Sequence, residues 1–464
     1  MMKLSISRTY KLLLTAAVIL CASACKKFVD IGVPDGTVAA ESVFKEDASA
    51  TAAVGAIYSN TNYRDHLLYG TYFSGASADE IVYNLTDLPI DFQNNSLPAA
   101  SNNVLNYMWF FPYRQIVNTN IAITGISNSN TLTAAVKNQL LGESKFWRAI
   151  TYFQLVNLFG DVPYSTSDQP LDLALLPRTA AATVIANLIT DLKDAKSLLT
   201  ATYPTAERAR VNQYAVSALL ARVYLYQKDW ANAEAEATAV IGSNVYSMAT
   251  PANTFIKTSN ETILQIANIN GFNNWGSTFV PSTPTAIPNW YLRNTFAASF
   301  ETGDARKSNW TGAIGATGNL YINKYKLRAG TAGNEYYIVL RLAEQYLIRA
   351  EARAQQDKIS GISGAEGDLN IVRNRASLAS LSALNKTSAL VAIEKERKVE
   401  LFAEWFHRWF DLKRSPGFTD SSKSRADEVL APLKGTNWQS TDVLYPIPAT
   451  EIVANPNLVQ NPGY

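Results

Sequence analysis

The sequence predicts a mostly α-helical fold in which tetratricopeptide-like helical hairpins form a scaffold interrupted by long irregular insertions. Three observations carry this reading. Apolar residues recur at helical spacing along much of the chain. Residues 212–241 have the small-residue pattern of two closely packed helices. From about 244 to 334 the period stops, and Asn, Thr, Gly, Pro and aromatic residues replace it.

Taken in order, the helical stripes are these. Ala50, Val54, Ile57 and Tyr58 fall on one face. Val136, Leu140, Trp147, Ile150 and Gln154 mark a long helix, with Phe146, Ala149, Phe153 and Val156 on a second line. It stops at Gly160-Asp161-Val162-Pro163, a glycine followed by a proline that cannot continue a helix. Val184, Leu188, Leu192, Ala195 and Leu199 define another, opened by Thr179. Asn212 and Asp229 are suited to cap the two helices of the hairpin, whose alanines allow close approach. Helical periods resume over 335–356, 364–375 and 387–413. A second irregular, aromatic-bearing segment covers 69–103.

The chain begins with Lys3, Arg8 and Lys11, then an apolar run over 12–24 that ends in small residues. This is a secretory signal, too short and wrongly flanked for a spanning helix. Ala22-Ser23-Ala24-Cys25 matches a bacterial lipoprotein signal, in which Cys25 is acylated; Leu is commoner where Ala22 stands. The alternative is an ordinary signal cut after Ala24. Residues 1–24 are thus read as signal peptide, 26–36 as a tether, and 25–464 as one domain, with tetratricopeptide-like helices at about 180–242 and 335–413. Cys21 and Cys25 are the only cysteines, so the processed chain has no disulfide and relies on core burial. Loss of Lys3, Arg8 and Lys11 leaves 38 basic residues against 39 acidic ones. A near-neutral chain without basic blocks does not suit nucleic acid.

Five motifs then occur in series. They are Glu143-Ser144-Lys145-Phe146-Trp147-Arg148-Ala149 running on to Leu158-Phe159-Gly160-Asp161-Val162-Pro163, the run from Leu342 through Arg349 and Glu351 to Ala352, and Leu369-Asn370 with Arg373, Arg375 and Ala376. Next comes Glu396-Arg397 with Glu400, Leu401, Glu404, Arg408 and Asp411-Leu412-Lys413-Arg414. The last is Leu444-Tyr445-Pro446-Ile447-Pro448 with Asn461-Pro462-Gly463-Tyr464. Behind a lipoprotein signal, this series resembles the SusD/RagB family of outer-membrane nutrient-binding lipoproteins, over the whole processed chain. The resemblance implies a tetratricopeptide-like helical fold, a ligand surface built by the irregular segments, and a lid role on a SusC-like TonB-dependent outer-membrane barrel. It implies location at the cell surface, with the lipid on Cys25 as anchor. The motif charges themselves read as structural, since Glu396, Glu400 and Glu404 at i, i+4 spacing make ion pairs along a helix face. Tyr445 and Pro446 read as packing that locks the C-terminus.

Catalytic and cofactor chemistry is not called for. His66 and His407 are the only histidines, too few for a zinc site without cysteine. His407 lies between Phe406 and Trp409 and reads as core. No Gly-rich phosphate loop occurs, so no cofactor, metal or catalytic residue is assigned. A glycosidase needs only two carboxylates, and among 39 acids no pair, including Asp79-Glu80 and Asp304, stands out.

The preferred ligand is an oligosaccharide. Sugars offer flat apolar C–H faces edged by hydroxyls, so a site needs accessible rings and planar hydrogen-bonding side chains. Asn273, Asn274 and Trp275 put both in one loop, and Trp290 and Tyr291 follow Asn289 in another. Tyr83 and Asn84 do so in the earlier irregular segment, with Asp91 and Phe92 nearby. Trp275 is the leading stacking platform, with Tyr83 or Tyr291 opposite; Trp290 precedes Leu292, Phe296 and Phe300 and has a core alternative. Capture of oligopeptides is the second reading, and a surface hydrolase the third.

The anchor makes a direct prediction. Cys25→Ala should move the protein from the membrane fraction to the soluble one and remove lipid mass from its N-terminus. A variant that stays membrane-bound with a lipid-bearing N-terminus contradicts acylation at Cys25.

Overall fold

Gln213–Tyr226 and Trp230–Gly242 form the expected hairpin. Asn212 accepts the Ala215 N–H at 2.9 Å, and Asp229 accepts that of Asn232 at 3.3 Å. Ala215, Ala218, Ala221, Ala233 and Ala237 are wholly buried. The computed structural model describes residues 40–268, 274–328 and 333–464. The signal, Cys25, the tether and Asn273 lie outside the described residues. The fold is mostly helical, as the stripes require. Helix Leu342–Gln355 packs against Trp230–Gly242, so the repeat array continues across the insertion. Ala343, Leu347, Ala350 and Ala354 join Leu369 and Val372 of Ala365–Arg375 and Ala389 and Ile393 of Lys386–Glu400 in a second, smaller core.

The N-terminal half follows its stripes. Helix Asp47–Ser59 buries Ala50, Val54, Ile57 and Tyr58. Helix Ala134–Phe159 stops at Gly160, whose φ of 72° suits glycine. The next helix, Ala181–Leu198, is not opened by Thr179. Ala180 is its N-cap residue, and Asp161 accepts the Ala181 N–H at 2.8 Å, so the capping oxygen comes from the preceding loop.

Three further boundaries differ from the sequence reading. Residues 337–341 are a strand, Tyr337–Arg341, and the helix starts at Leu342. Its strand run is apolar and buried on both faces, so it shows no alternation that would tell it from a buried helix. The helix expected over 387–413 is two, Lys386–Glu400 and His407–Arg414. Between them Ala403, Trp405 and Phe406 have φ of 53°, 44° and 64°. This turn sends Trp405 and Phe406 into the core, where Trp405 Nε1 donates to the Ile338 carbonyl at 2.7 Å. Finally, 69–77 is not irregular but the end of helix Thr61–Ser77. Its glycines mask the helix in sequence yet serve packing. A Cβ on Gly70 would lie 2.2 Å from the Phe406 ring.

The insertion holds short elements within its loops. Thr262–Ile266 pairs antiparallel with Tyr337–Arg341 and closes the insertion at its base. Thr311–Ala313 pairs with Leu320–Ile322, and Trp290–Leu292 pairs with Ile81–Tyr83 of the N-terminal half.

The charges of the motifs are buried ion pairs across elements, not pairs along one helix face. Glu404 lies past the helix end, in the left-handed turn. Glu400, with no exposure, accepts from Arg306 at 2.9 Å, Arg341 at 2.5 Å, and Arg375. Arg341 also binds Glu404 through two nitrogens at 2.9 Å and Glu261 at 2.9 Å. Arg306 holds Glu396 at 2.6 Å and Asp304 at 2.8 Å, and Lys324 holds Glu404 at 2.5 Å. Burial alone would raise the Glu400 carboxyl, but Arg375, Arg341, Arg306 and Lys324 hold it well below the usual range. Elsewhere Arg397 pairs with Asp411, and Arg408 with Asp79 and Glu394. Arg148 grips Asp191 through two bonds of 2.7 Å.

The terminal motif is a lock, as its composition suggests. Tyr445 is buried, its hydroxyl 2.9 Å from Ser77 Oγ and its N–H on the Leu158 carbonyl at 2.8 Å. Asn461 donates to the Phe159 and Tyr445 carbonyls at 3.0 and 2.8 Å.

Candidate functional site

Four elements bring their aromatic rings together in a continuous arc. Helix Thr61–Ser77 supplies Tyr69 and Tyr72 one turn apart. A π-helical segment, Val104–Phe110, supplies Tyr107. Such wide turns are rare and concentrate at functional sites. The strand pair supplies Tyr83 and Trp290, directly opposite each other in register. Tyr107 stacks on Tyr69 with centroids 3.8 Å apart and planes within 10°. Tyr69 meets Tyr72 at 5.2 Å, Tyr72 stacks on Trp290 at 4.4 Å, and Trp290 meets Tyr83 at 4.3 Å. Phe111 and the half-exposed Phe110 extend the arc beyond Tyr107.

The two ends of the arc differ. Tyr69 and Tyr107 are half-buried and keep part of their rings at the surface. Burial, with Tyr69 beside it, pushes the Tyr107 phenol up to about 12, and burial raises the nearby Asp65 carboxyl. Below them His66 Nδ1 is 2.6 Å from the Tyr107 carbonyl, which it holds by donation. Burial pulls His66 down to about 4, so it is a neutral core residue at physiological pH. His407 is likewise buried and held neutral by burial and by surrounding cations.

At the other end Tyr72 and Trp290 border a groove of about 340 Å³. Ser277, Thr278, Asn289 and Arg328 also line it. The short helix Asn274–Phe279 forms one wall. It can sit there because a Cβ on Gly276 would lie 2.1 Å from the Leu327 carbonyl oxygen; only glycine permits this approach. Apolar faces, hydroxyls, an amide and a guanidinium thus converge on one opening. That is the composition of a small-molecule recognition site.

The structure distributes the sequence-selected residues unevenly. Tyr83, Asn84, Trp290 and Tyr291 come together on the strand pair, where the Asn84 N–H donates to the Asn289 carbonyl at 2.9 Å. Trp290 is only 5% exposed, yet it lines the groove. Tyr291 alternates to the other face of its strand and does not join the arc. Tyr83 packs on Trp290, not opposite Trp275, and its hydroxyl bonds Asp87. Asn274 is exposed at the start of its helix. Trp275 is not the exposed ring its Asn- and Gly-rich flanks suggest. It is 5% exposed, stacked on Tyr337 at 3.6 Å, and Tyr337 in turn stacks on Trp405 at 5.3 Å. Three aromatics from distant segments build this pile, so local composition could not reveal it.

Tyr69, Tyr72, Tyr107 and Arg328 were missed. A signal for the first two existed in their helical spacing, hidden by Gly70, Thr71 and Ser74 between and after them. Arg328 had none.

A helical-repeat scaffold carrying a loop-built groove is the class this architecture defines. Residues 223–464 match the model of the SusD family, and residues 38–225 match a model described as starch-binding associating with outer membrane. The chain belongs to the SusD family. Two SusD-like proteins of Formosa agariphila are 29% and 25% identical to it, over 93% and 95% of this chain and 95% and 96% of theirs. The starch-binding protein SusD of Bacteroides thetaiotaomicron is 34% identical over 130 residues, covering 27% of this chain and 21% of that one. Among solved structures, a SusD superfamily protein of Bacteroides vulgatus has a TM-score of 0.78 at 19% identity, covering 91% of this chain and all of that one. A laminarin-binding SusD-like protein has a TM-score of 0.75 at 22% identity, with the same coverage. These likenesses are in fold.

The burial of Trp275 has a measurable consequence. Trp275→Ala should lower unfolding free energy by about 3–5 kcal/mol, read by chemical denaturation. An unchanged midpoint contradicts its place in the core.

Proposed function

We propose that this protein captures oligosaccharides at the cell surface and delivers them, as a lid, to a SusC-like TonB-dependent outer-membrane barrel. The lipid on Cys25 holds it to the outer membrane, and the chain binds its ligand without chemically altering it. The observation that carries this reading is the ring arc from Tyr107 to Trp290, ending at a groove edged by Ser277, Thr278 and Asn289. Tyr69, Tyr107 and Phe110 keep part of their surface accessible at one end of the arc, where they suit apolar sugar faces, and the hydroxyls and amide at the groove match sugar hydroxyls. The printed functions of relatives, starch binding and laminarin binding, support the same ligand class.

Glycan and peptide arrays probed with the chain from residue 26 onward test the reading, followed by calorimetry. Oligosaccharides should bind with a Kd between about 1 μM and 1 mM. Tyr107→Ala should weaken them about tenfold or more, since a few aromatic contacts carry most binding energy, with a far smaller loss of stability than Trp275→Ala. Binding of peptides alone, or turnover of an oligosaccharide by the pure protein, contradicts the proposal.

A further inference from the structure

Arg328 is the only charged residue among the described residues that line the groove. Among the described residues no carboxylate pairs with it. Its Nη1 donates to the Ser277 carbonyl at 3.2 Å and to that of Val280, so it is tied to the end of helix Asn274–Phe279. Nε and Nη2 bond to none of the described residues and are not sealed in the interior. The guanidinium is therefore fixed on one side and open on the other.

Charged groups beside the strand pair that carries Trp290 include Arg293, Lys434, Asp79 and Glu80. Arg293, three residues beyond Trp290, has Nε and Nη2 buried with no hydrogen bond to the described residues, though it feels the Asp79 charge. Lys434 spends its ammonium on the Ala76 and Gln93 carbonyls, at 2.7 and 2.6 Å. Asp79 is paired with Arg408 and Lys398. Glu80 is buried, and burial with Asp79 beside it pushes its carboxyl up to about 8, so it is uncharged at neutral pH. Asp65 influences the Tyr72 phenol from the Tyr69 and Tyr107 end of the arc and does not line the groove. A neutral glycan would leave Arg328, the groove's one cation among the described residues, without a counter-charge.

We propose that the groove selects an anionic sugar, with a uronate carboxylate or a sulfate ester paired to Arg328 while the sugar sits over the groove edge formed by Trp290 and Tyr72. This rests on the reading of the protein as a glycan binder and narrows its ligand class. A guanidinium presents a planar fork that matches either oxyanion, and such charge-assisted bonds are stronger than neutral ones.

The test is calorimetry on the chain from residue 26 with three probes: trigalacturonate, a sulfated carrageenan oligosaccharide, and neutral galactotriose. At least one acidic probe should bind about tenfold more tightly than galactotriose. Its affinity should fall several-fold between about 50 and 300 mM salt, as a partly exposed charge contact must. Arg328→Gln should remove that preference together with its salt dependence, whereas Arg328→Lys should retain part of both. The carboxylate and sulfate arms tell which oxyanion is chosen. If Arg328→Gln loosens the groove itself, galactotriose binding falls too, and the wild-type salt dependence then decides. Equal or tighter binding of the neutral probe, or an acidic preference indifferent to salt, overturns the anionic assignment while the glycan reading stands. No binding in any arm, nor on a broader glycan array, overturns both.

Discussion

Glu400 is the point through which the molecule is held together. Its carboxylate receives Arg306 from the insertion, Arg341 from the strand that ends the insertion, and Arg375 from the repeat array. Its backbone carbonyl receives Lys324 at 2.8 Å and Arg341 at 2.7 Å. Ions this deep are costly to desolvate, and an apolar replacement of the whole cluster could be as stable. What the cluster supplies is position. Arg306 and Arg341 keep other carboxylates, so loss of Glu400 leaves an excess of buried positive charge, and breaking a buried pair costs about 3–5 kcal/mol. A seating of the insertion that parted these charges would carry that penalty.

That constraint reaches the candidate site through few steps. The cluster fixes Arg341, and with it the strand Tyr337–Arg341. Tyr337 carries the Trp275 and Trp405 stack, which sets the height of helix Asn274–Phe279. That helix forms one wall of the groove, and Trp290 forms another through its pairing with Ile81–Tyr83. The arc is shared between the N-terminal helices and the insertion, so neither half builds it alone. A rigid arc suits a binder, because rings held in place before the ligand arrives lose little entropy on binding.

Much of the scaffold was legible in the sequence. Asn212, Asp229 and their alanine-rich helices sit where local rules place them, because capping and helical spacing act within a few residues. The family motifs were legible as a series, and their placement in buried ion pairs explains why such polar residues interrupt apolar stripes. The strand at 337–341 was not legible, since a fully buried strand and a buried helix share one composition. The break after Glu400 was not legible either, because left-handed Ala403, Trp405 and Phe406 are stabilised by tertiary contacts alone. At the site, the strand pair joining Tyr83 to Trp290 links residues some two hundred positions apart, and its aromatics could be selected but not arranged. Trp275 shows the same limit in reverse: polar neighbours in sequence do not make a ring exposed.

The central claim is that buried charge at Glu400 seats the insertion on the repeat helices. Native-state hydrogen exchange of Glu400→Gln, compared with the wild type, tests it most directly. Protection should fall together over 261–266, 304–325 and 337–341, while the hairpin over 213–242 keeps most of its protection. Equal loss across the hairpin and the insertion, or no change in either, would contradict it.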